Sequence, residues 1–143
     1  MKKTAMLLVL ALLFTGAAVA RDAPSTEVEV LAHATRSWDG SLLPAYPEGQ
    51  PEVRILRIRI PAGTRLPMHR HPVINAGVLV AGELTFVTED GGRLELQAGD
   101  AIVEVVDRLH YGVNEGDATA EIIVFYAGVE GAPITVHEPD SAR

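Results

Sequence analysis

Cysteine is absent from all 143 residues, so no disulfide can staple the chain and no lipid can be attached through a thiol. Lysine occurs only as Lys2 and Lys3, and 12 Lys and Arg face 19 Asp and Glu, for a formal net charge of −7. A nucleic-acid binder draws its affinity from neutralising phosphates with Lys and Arg, so this balance argues against such a partner and for neutral or cationic ones. A helical period is missing after residue 20, as are internal repeats and low-complexity segments. The one long hydrophobic run, A-M-L-L-V-L-A-L-L-F at 5–14, falls short of the roughly 20 residues that a membrane span needs.

What is there begins with that run. Lys2 and Lys3 precede it and Ala18-Val19-Ala20 follows it, the basic start and A-x-A end of a secretory signal peptide. Residues 1–20 are therefore expected to be removed, giving a periplasmic or secreted protein of bacterial Sec type with no stable membrane insertion. Cleavage would leave ten positive charges (12 less the two lysines) against 19 negative ones, a net of −9. Residues 21–143 suit one domain, with a core over about 27–128, long enough to bury apolar surface without staples.

Short apolar stretches separated by turn residues read as strands. Glu27–Ala34 (E-V-E-V-L-A-H-A) alternates as a first strand. Glu52–Ile60 is a second, whose alternation slips between Ile55 and Leu56, suggesting a bulge or a strand buried partly on both faces. Leu84–Thr88 and Arg93–Gln97 flank a Glu89–Gly92 hairpin turn, Ala120–Ala127 is a buried closing strand, and Ile134–Val136 could add an edge strand or swap onto a neighbour. The segment Ser41–Pro51, with Pro44, Pro47 and Pro51, is a loop; Trp38 just before it and Tyr46 within it cover one mouth of the barrel, help a dimer contact or simply pack the loop, the last being preferred. This pattern predicts an all-β barrel or sandwich.

Two stretches carry candidate chemistry. His69 and His71 lie two apart, so a strand presents both imidazoles on one face, and Asn75 has the same parity. His110 sits in a second such stretch, Gly99–Asn114. Neutral imidazole is a common ligand for transition metals, so three histidines able to converge are a candidate metal site. His33 and His137 read as surface residues. Glu104 is a charge inside the apolar run A-I-V-E-V-V. It either points inward, as a ligand or general base, or sits on the outer face of its strand, and parity does not decide without the register. Arg57 and Arg59 share a face that is either cavity or solvent, solvent being the commoner place for arginine.

The spacings Gly63-x5-His69-x-His71-x3-Asn75-x6-Gly82 and Gly99-x10-His110-x3-Asn114 resemble the two motifs of the cupin superfamily, with a short segment between them as in small single-domain cupins. The departures are Asn75 where the family usually has a metal-binding glutamate, Val105 for proline and Asp107 for glycine. The resemblance implies a double-stranded β-helix, the jelly-roll barrel. It implies a divalent transition metal (Fe, Zn, Mn, Ni or Cu) held by His69, His71 and His110. With the carboxylate replaced by a neutral amide, Asn75 becomes a weak ligand or a group that orients a bound water. Small cupins include dioxygenases, isomerases and decarboxylases, so the resemblance implies a metalloenzyme acting on a small molecule. The alternative is a non-catalytic protein that binds or senses one. Many small cupins are homodimers through an outer sheet, which the apolar strands here allow.

Overall fold

The computed structural model describes residues 25–138. The signal peptide expected at 1–20 lies outside them. Nine strands form: β1 Pro51–Ile60, β2 His69–Arg70, β3 Ile74–Ala81, β4 Glu83–Thr88, β5 Arg93–Gln97, β6 Ala101–Val103, β7 His110–Val113, β8 Ala120–Val129 and β9 Val136–His137. They make two antiparallel sheets, ordered β1-β8-β3-β6 and β5-β4-β7-β2-β9. This is the all-β, double-stranded β-helix arrangement expected of the sequence. No helix among the described residues is long and apolar enough to cross a membrane.

The inner faces follow from period-2 alternation. In β8, Ile122, Val124 and Tyr126 are buried while Phe125 is exposed, and in β3 Asn75, Gly77 and Leu79 alternate with less buried neighbours. Leu79, Leu84, Phe86, Leu96, Ile102 and Ile122 knit the two inner faces into one core. Each fully buried Leu or Ile contributes about 1.5–3 kcal/mol from burial. Gly82 turns β3 into β4 at φ 74°, where an added Cβ would lie 2.9 Å from the Ala120 Cα. Glycine is required there by both backbone and space.

Two strand expectations need correction. Residues 27–34 form no strand; Val28, Val30 and Leu31 are exposed, and only an isolated Arg36–Leu42 bridge follows. Alternation gives the chain a face to bury but no partner ladder, and without one a strand does not form. The slip at Ile55–Leu56 is not a bulge, since β1 pairs with β8 in unbroken register from Pro51↔Val129 to Ile60↔Ala120. The edge strand β1 simply carries apolar residues on both faces: Leu56, Ile58 and Ile60 line the interior, while Val53 and Ile55 lie outside and exposed. The irregularity falls elsewhere, between Leu79 and Ala81 of β3. Arg57 and Arg59 face solvent and pair with Glu121.

Candidate metal centre

β2 is two residues long, yet it is the hub of the site. His69 pairs directly with His110 of β7 on one side and with His137 of β9 on the other. Cross-strand partners share a face, so these side chains form a row, and period-2 spacing adds His71 to it. The ring centroids of His69 lie 4.9 Å from His71, 4.6 Å from His110 and 5.9 Å from His137. One ligand nitrogen from each of His69, His71 and His110 falls within 4.8 Å of the others, so these three could hold a metal ion.

Three backbone carbonyls orient the rings. His69 Nδ1 meets Pro67 O at 2.7 Å, His71 Nδ1 meets Ile134 O at 2.7 Å, and His110 Nδ1 meets Arg108 O at 2.8 Å. A carbonyl only accepts, so each Nδ1 carries the proton and each Nε2 is left to bind. This tautomer assignment rests on the hydrogen-bond network.

Glu104 resolves the open parity question: it points inward and is 3% exposed. Its Oε2 lies 3.1 Å from His110 Nε2 and 3.4 Å from His71 Nε2. Burial alone would raise its pKa, but hydrogen bonds and charge from His110 and His71 outweigh this and hold it down to about 2. His110 is the mirror case. Burial lowers its pKa, yet the Glu104 hydrogen bond and charge win and raise it. Both of its nitrogens face acceptors, which favours the doubly protonated ring when no metal is bound. His69 lacks such a partner, and its pKa falls to about 4, from burial first and then the charges of His110 and His71, against the Pro67 carbonyl and Glu104.

The two motif asparagines differ. Both are fully buried. Asn114 is satisfied: its Nδ2 donates to Ile60 O at 2.9 Å and Ala118 O at 2.7 Å, and its Oδ1 accepts from Gly116 N–H at 3.0 Å, which ties down a turn. Asn75 makes only a long Nδ2 bond to Val73 O, 3.4 Å, and its Oδ1 has no partner. A buried unpaired carbonyl costs about 1–3 kcal/mol, and an ion or a water would satisfy it. Three orientable imidazoles, an ionised carboxylate and a neutral oxygen are a donor set that fits a divalent transition metal.

A cavity of about 190 Å³ opens onto His69 and His71. Its walls include Leu56, Ile58, Ile60, Phe86, Ile122 and Val124, and His137 and Thr135 stand at its edge. His137 is exposed, as expected, but it borders this cavity, which its sequence position in the tail did not signal. Ile134 and Ser37 also escape sequence reasoning. The first orients His71, and the second donates its hydroxyl to Glu104 O at 2.8 Å across 67 residues. Arg70 points away and pairs with Asp107, His33 is exposed, and Tyr111 stacks under Arg65.

With this geometry, the sequence spacing and the topology agree. The chain carries a cupin domain. Residues 56–126 match the family model of that description. The structure superposes on DMSP lyase DddQ from Ruegeria pomeroyi DSS-3 with a TM-score of 0.55 and 22% identity, covering 64% of this chain and 45% of that one. An uncharacterised conserved protein with a double-stranded β-helix domain from Klebsiella pneumoniae subsp. pneumoniae MGH 78578 gives 0.51 and 18%, covering 66% and 89%. An oxalate oxidase in complex with the substrate analogue glycolate gives 0.51 and 22%, covering 59% and 45%. These likenesses show the cupin fold. The chain spans less than half the length of the lyase and the oxidase. No curated protein matches the sequence.

Proposed function

We propose that this cupin is an exported metalloenzyme that holds a divalent transition metal through His69, His71 and His110 and acts on a small molecule. The observation that carries the reading is Glu104, an ionised carboxylate buried against two of the three histidines at the floor of a cavity. A carboxylate in that place is a group besides the three histidines that can move a proton, as an enzyme of the dioxygenase, isomerase or decarboxylase type requires. When bound, the metal supplies a Lewis acid for an oxygen-bearing substrate, or a redox centre if it is iron or copper.

The chain's own residues divide the remaining work. Pro67, Ile134 and Arg108 carbonyls hold the imidazoles in one tautomer. Glu104 Oε2 takes up a proton or completes the ligand set, and Asn75 Oδ1 accepts from a water. Tyr126, whose ring centroid is 5.3 Å from that of His71, stays a neutral phenol, because burial and then the Glu104 charge push its pKa up. The apolar walls favour a second reading, a non-catalytic binder of small ligands. A homodimer through the outer face of β1-β8-β3-β6, where Val53, Ile55 and Phe125 are exposed, fits the same reading, and light scattering of the purified protein tests it.

The deciding experiment is elemental analysis of protein purified without a histidine tag, beside a His69→Ala/His71→Ala control. About one equivalent of metal in the wild type and none in the control is expected. Iron or copper then calls for oxygen-consumption assays, and zinc for isomerisation or hydrolysis. Absence of metal after reconstitution would sink the metalloenzyme reading. Activity that survives Glu104→Gln unchanged would leave the carboxylate without a catalytic role. Export is tested separately: the protein recovered from a bacterial periplasm should begin at Arg21.

A further inference from the structure

The polar lining of the cavity is His69, His71, Glu104 and Tyr126, with Thr135 and His137 at its edge, and among the described residues no arginine or lysine lines it. The arginines around it are committed outside: Arg57 and Arg59 to Glu121, Arg70 to Asp107, Arg108 to Asp39 and Asp90, and Arg65 on the Tyr111 ring. Glu104 lies against the metal-site histidines, of which His69 and His71 line the cavity, while Ile58, Ile60, Phe86, Ile122 and Val124 form its apolar walls. A charged substrate tail entering such walls would lose its hydration without gaining a partner.

Resting on the metal reading of the same site, we infer that the cupin selects a compact molecule with a single oxygen-bearing head for the metal and an uncharged, apolar body. A dianion such as a short dicarboxylate is disfavoured. The volume sets the size. An apolar cavity of about 150 Å³ takes benzene, so 190 Å³ admits about six to nine non-hydrogen atoms. A six-carbon chain or one aromatic ring fills it. The head is neutral or singly negative, since Glu104 already offsets part of the metal's charge. Specificity then comes from the walls, each buried methylene adding about fourfold in affinity until the cavity is full.

The test uses hydroxamates, which share one metal-binding head. Calorimetry on the zinc-loaded full chain should show hexanohydroxamate binding at least about thirtyfold more tightly than acetohydroxamate. Glutaric monohydroxamate, of the same chain length but ending in a carboxylate, should lose at least about tenfold against hexanohydroxamate. Leu56→Arg, placed at a rim position that is 38% exposed and so tolerant, should narrow or reverse that preference. Equal affinities across the series, or a carboxylate tail bound as well as a methyl one, would overturn the inference while leaving the metal centre standing. If the chain takes up no zinc, the metal reading fails and the walls are tested alone. Ligand-observed NMR should then favour hexan-1-ol over hexane-1,6-diol, and equal binding overturns the inference.

Discussion

The two sheets of this barrel do different work. The five-stranded sheet carries the chemistry: His69 on β2, His110 on β7 and His137 on β9 stand in a row across three paired strands. The four-stranded sheet carries the wall: Ile58 and Ile60 of β1, with Ile122 and Val124 of β8, face the row from across the cavity. The chemistry sheet reaches its geometry with very short strands and with carbonyls from irregular segments, whereas the wall sheet rests on the ten-residue ladder between β1 and β8. Precision of a side chain comes from its hydrogen-bonded surroundings, and stability comes from long registers and buried area.

That division can be broken most sharply by exchanging the insults. His69→Ala/His71→Ala should abolish metal binding, a loss of at least about a thousandfold. Unfolding in chelator should stay cooperative, with a lowered midpoint because buried Glu104 loses its His71 partner. Ile122→Ala, in the wall, should cost about 2–5 kcal/mol of stability in urea and keep one metal equivalent below its transition. If the wall variant loses metal while still folded, or the double variant unfolds, the two sheets are not separable in this way.

Glu104 belongs to neither sheet cleanly. It follows β6 of the wall sheet but serves the histidines. Glu104→Gln should weaken metal binding by about 10–100-fold, the usual effect of losing a group that orients or completes a ligand set. A second readout separates this role from a structural one. Glu104 favours a proton on His110 Nε2, which a bound metal would displace, so wild-type binding at a pH below the raised pKa of His110 should release a proton, measured by calorimetry in buffers of different ionisation enthalpy. In Glu104→Gln the carboxylate that holds this proton is gone, and release should fall. Unchanged affinity and unchanged release would separate Glu104 from the metal centre.

How much of this was legible in the chain depends on how far apart the partners lie. His69, His71 and His110 could be read because period 2 and motif spacing act locally. The hairpin at Glu89–Gly92 and the closing strand were readable for the same reason. Glu104 was visible as an anomaly, but its direction depends on a register set by β3 and β6 together. Ile134 and Ser37 left no trace, because a contact made through a main-chain atom 63 or 67 residues away constrains no side-chain pattern. Glu27–Ala34 misled because its alternation is real while its partner strand is not there.

The metal-free protein should also show the comparison in its pH dependence, with opposite slopes from two facing histidines. His69 has its pKa depressed to about 4 against an ordinary 6.5, so the unfolded chain binds more protons in between. Its contribution is present above pH 6.5 and is lost as the pH falls to about 4. Glu104, held at about 2 against 4.5, contributes above pH 4.5 and is lost as the pH falls through about 2. His110 runs the other way. Its pKa is raised, so its stabilisation is complete below 6.5 and is lost as the pH climbs through its folded value. Urea midpoints in chelator should therefore peak between the acid and alkaline losses. Glu104→Gln should flatten the alkaline side and leave the His69 loss in place. A midpoint flat from pH 4 to 8 would contradict both assignments.

The smallest expected effect lies where the chain crosses from the wall sheet to the chemistry sheet, between β6 and β7. Asp107 there adopts φ 53°, the left-handed region, and its N–H donates to His71 O at 2.8 Å. The motif that this stretch resembles has glycine at that position, and aspartate is among the few other residues that tolerate it. Its side chain adds a pair with Arg70, but both groups are well exposed, and such pairs contribute about 0–1 kcal/mol. Asp107→Gly loses that pair and the stiffness of a side chain while relieving the backbone, so its stability should stay within about 1 kcal/mol of wild type. Asp107→Ala loses the pair and keeps the conformational penalty, and should be lower than Asp107→Gly by about 1 kcal/mol. Alanine and glycine of equal stability would mean that the crossing is not held in its left-handed turn by the backbone bond to His71, and that the link between the two sheets is set elsewhere.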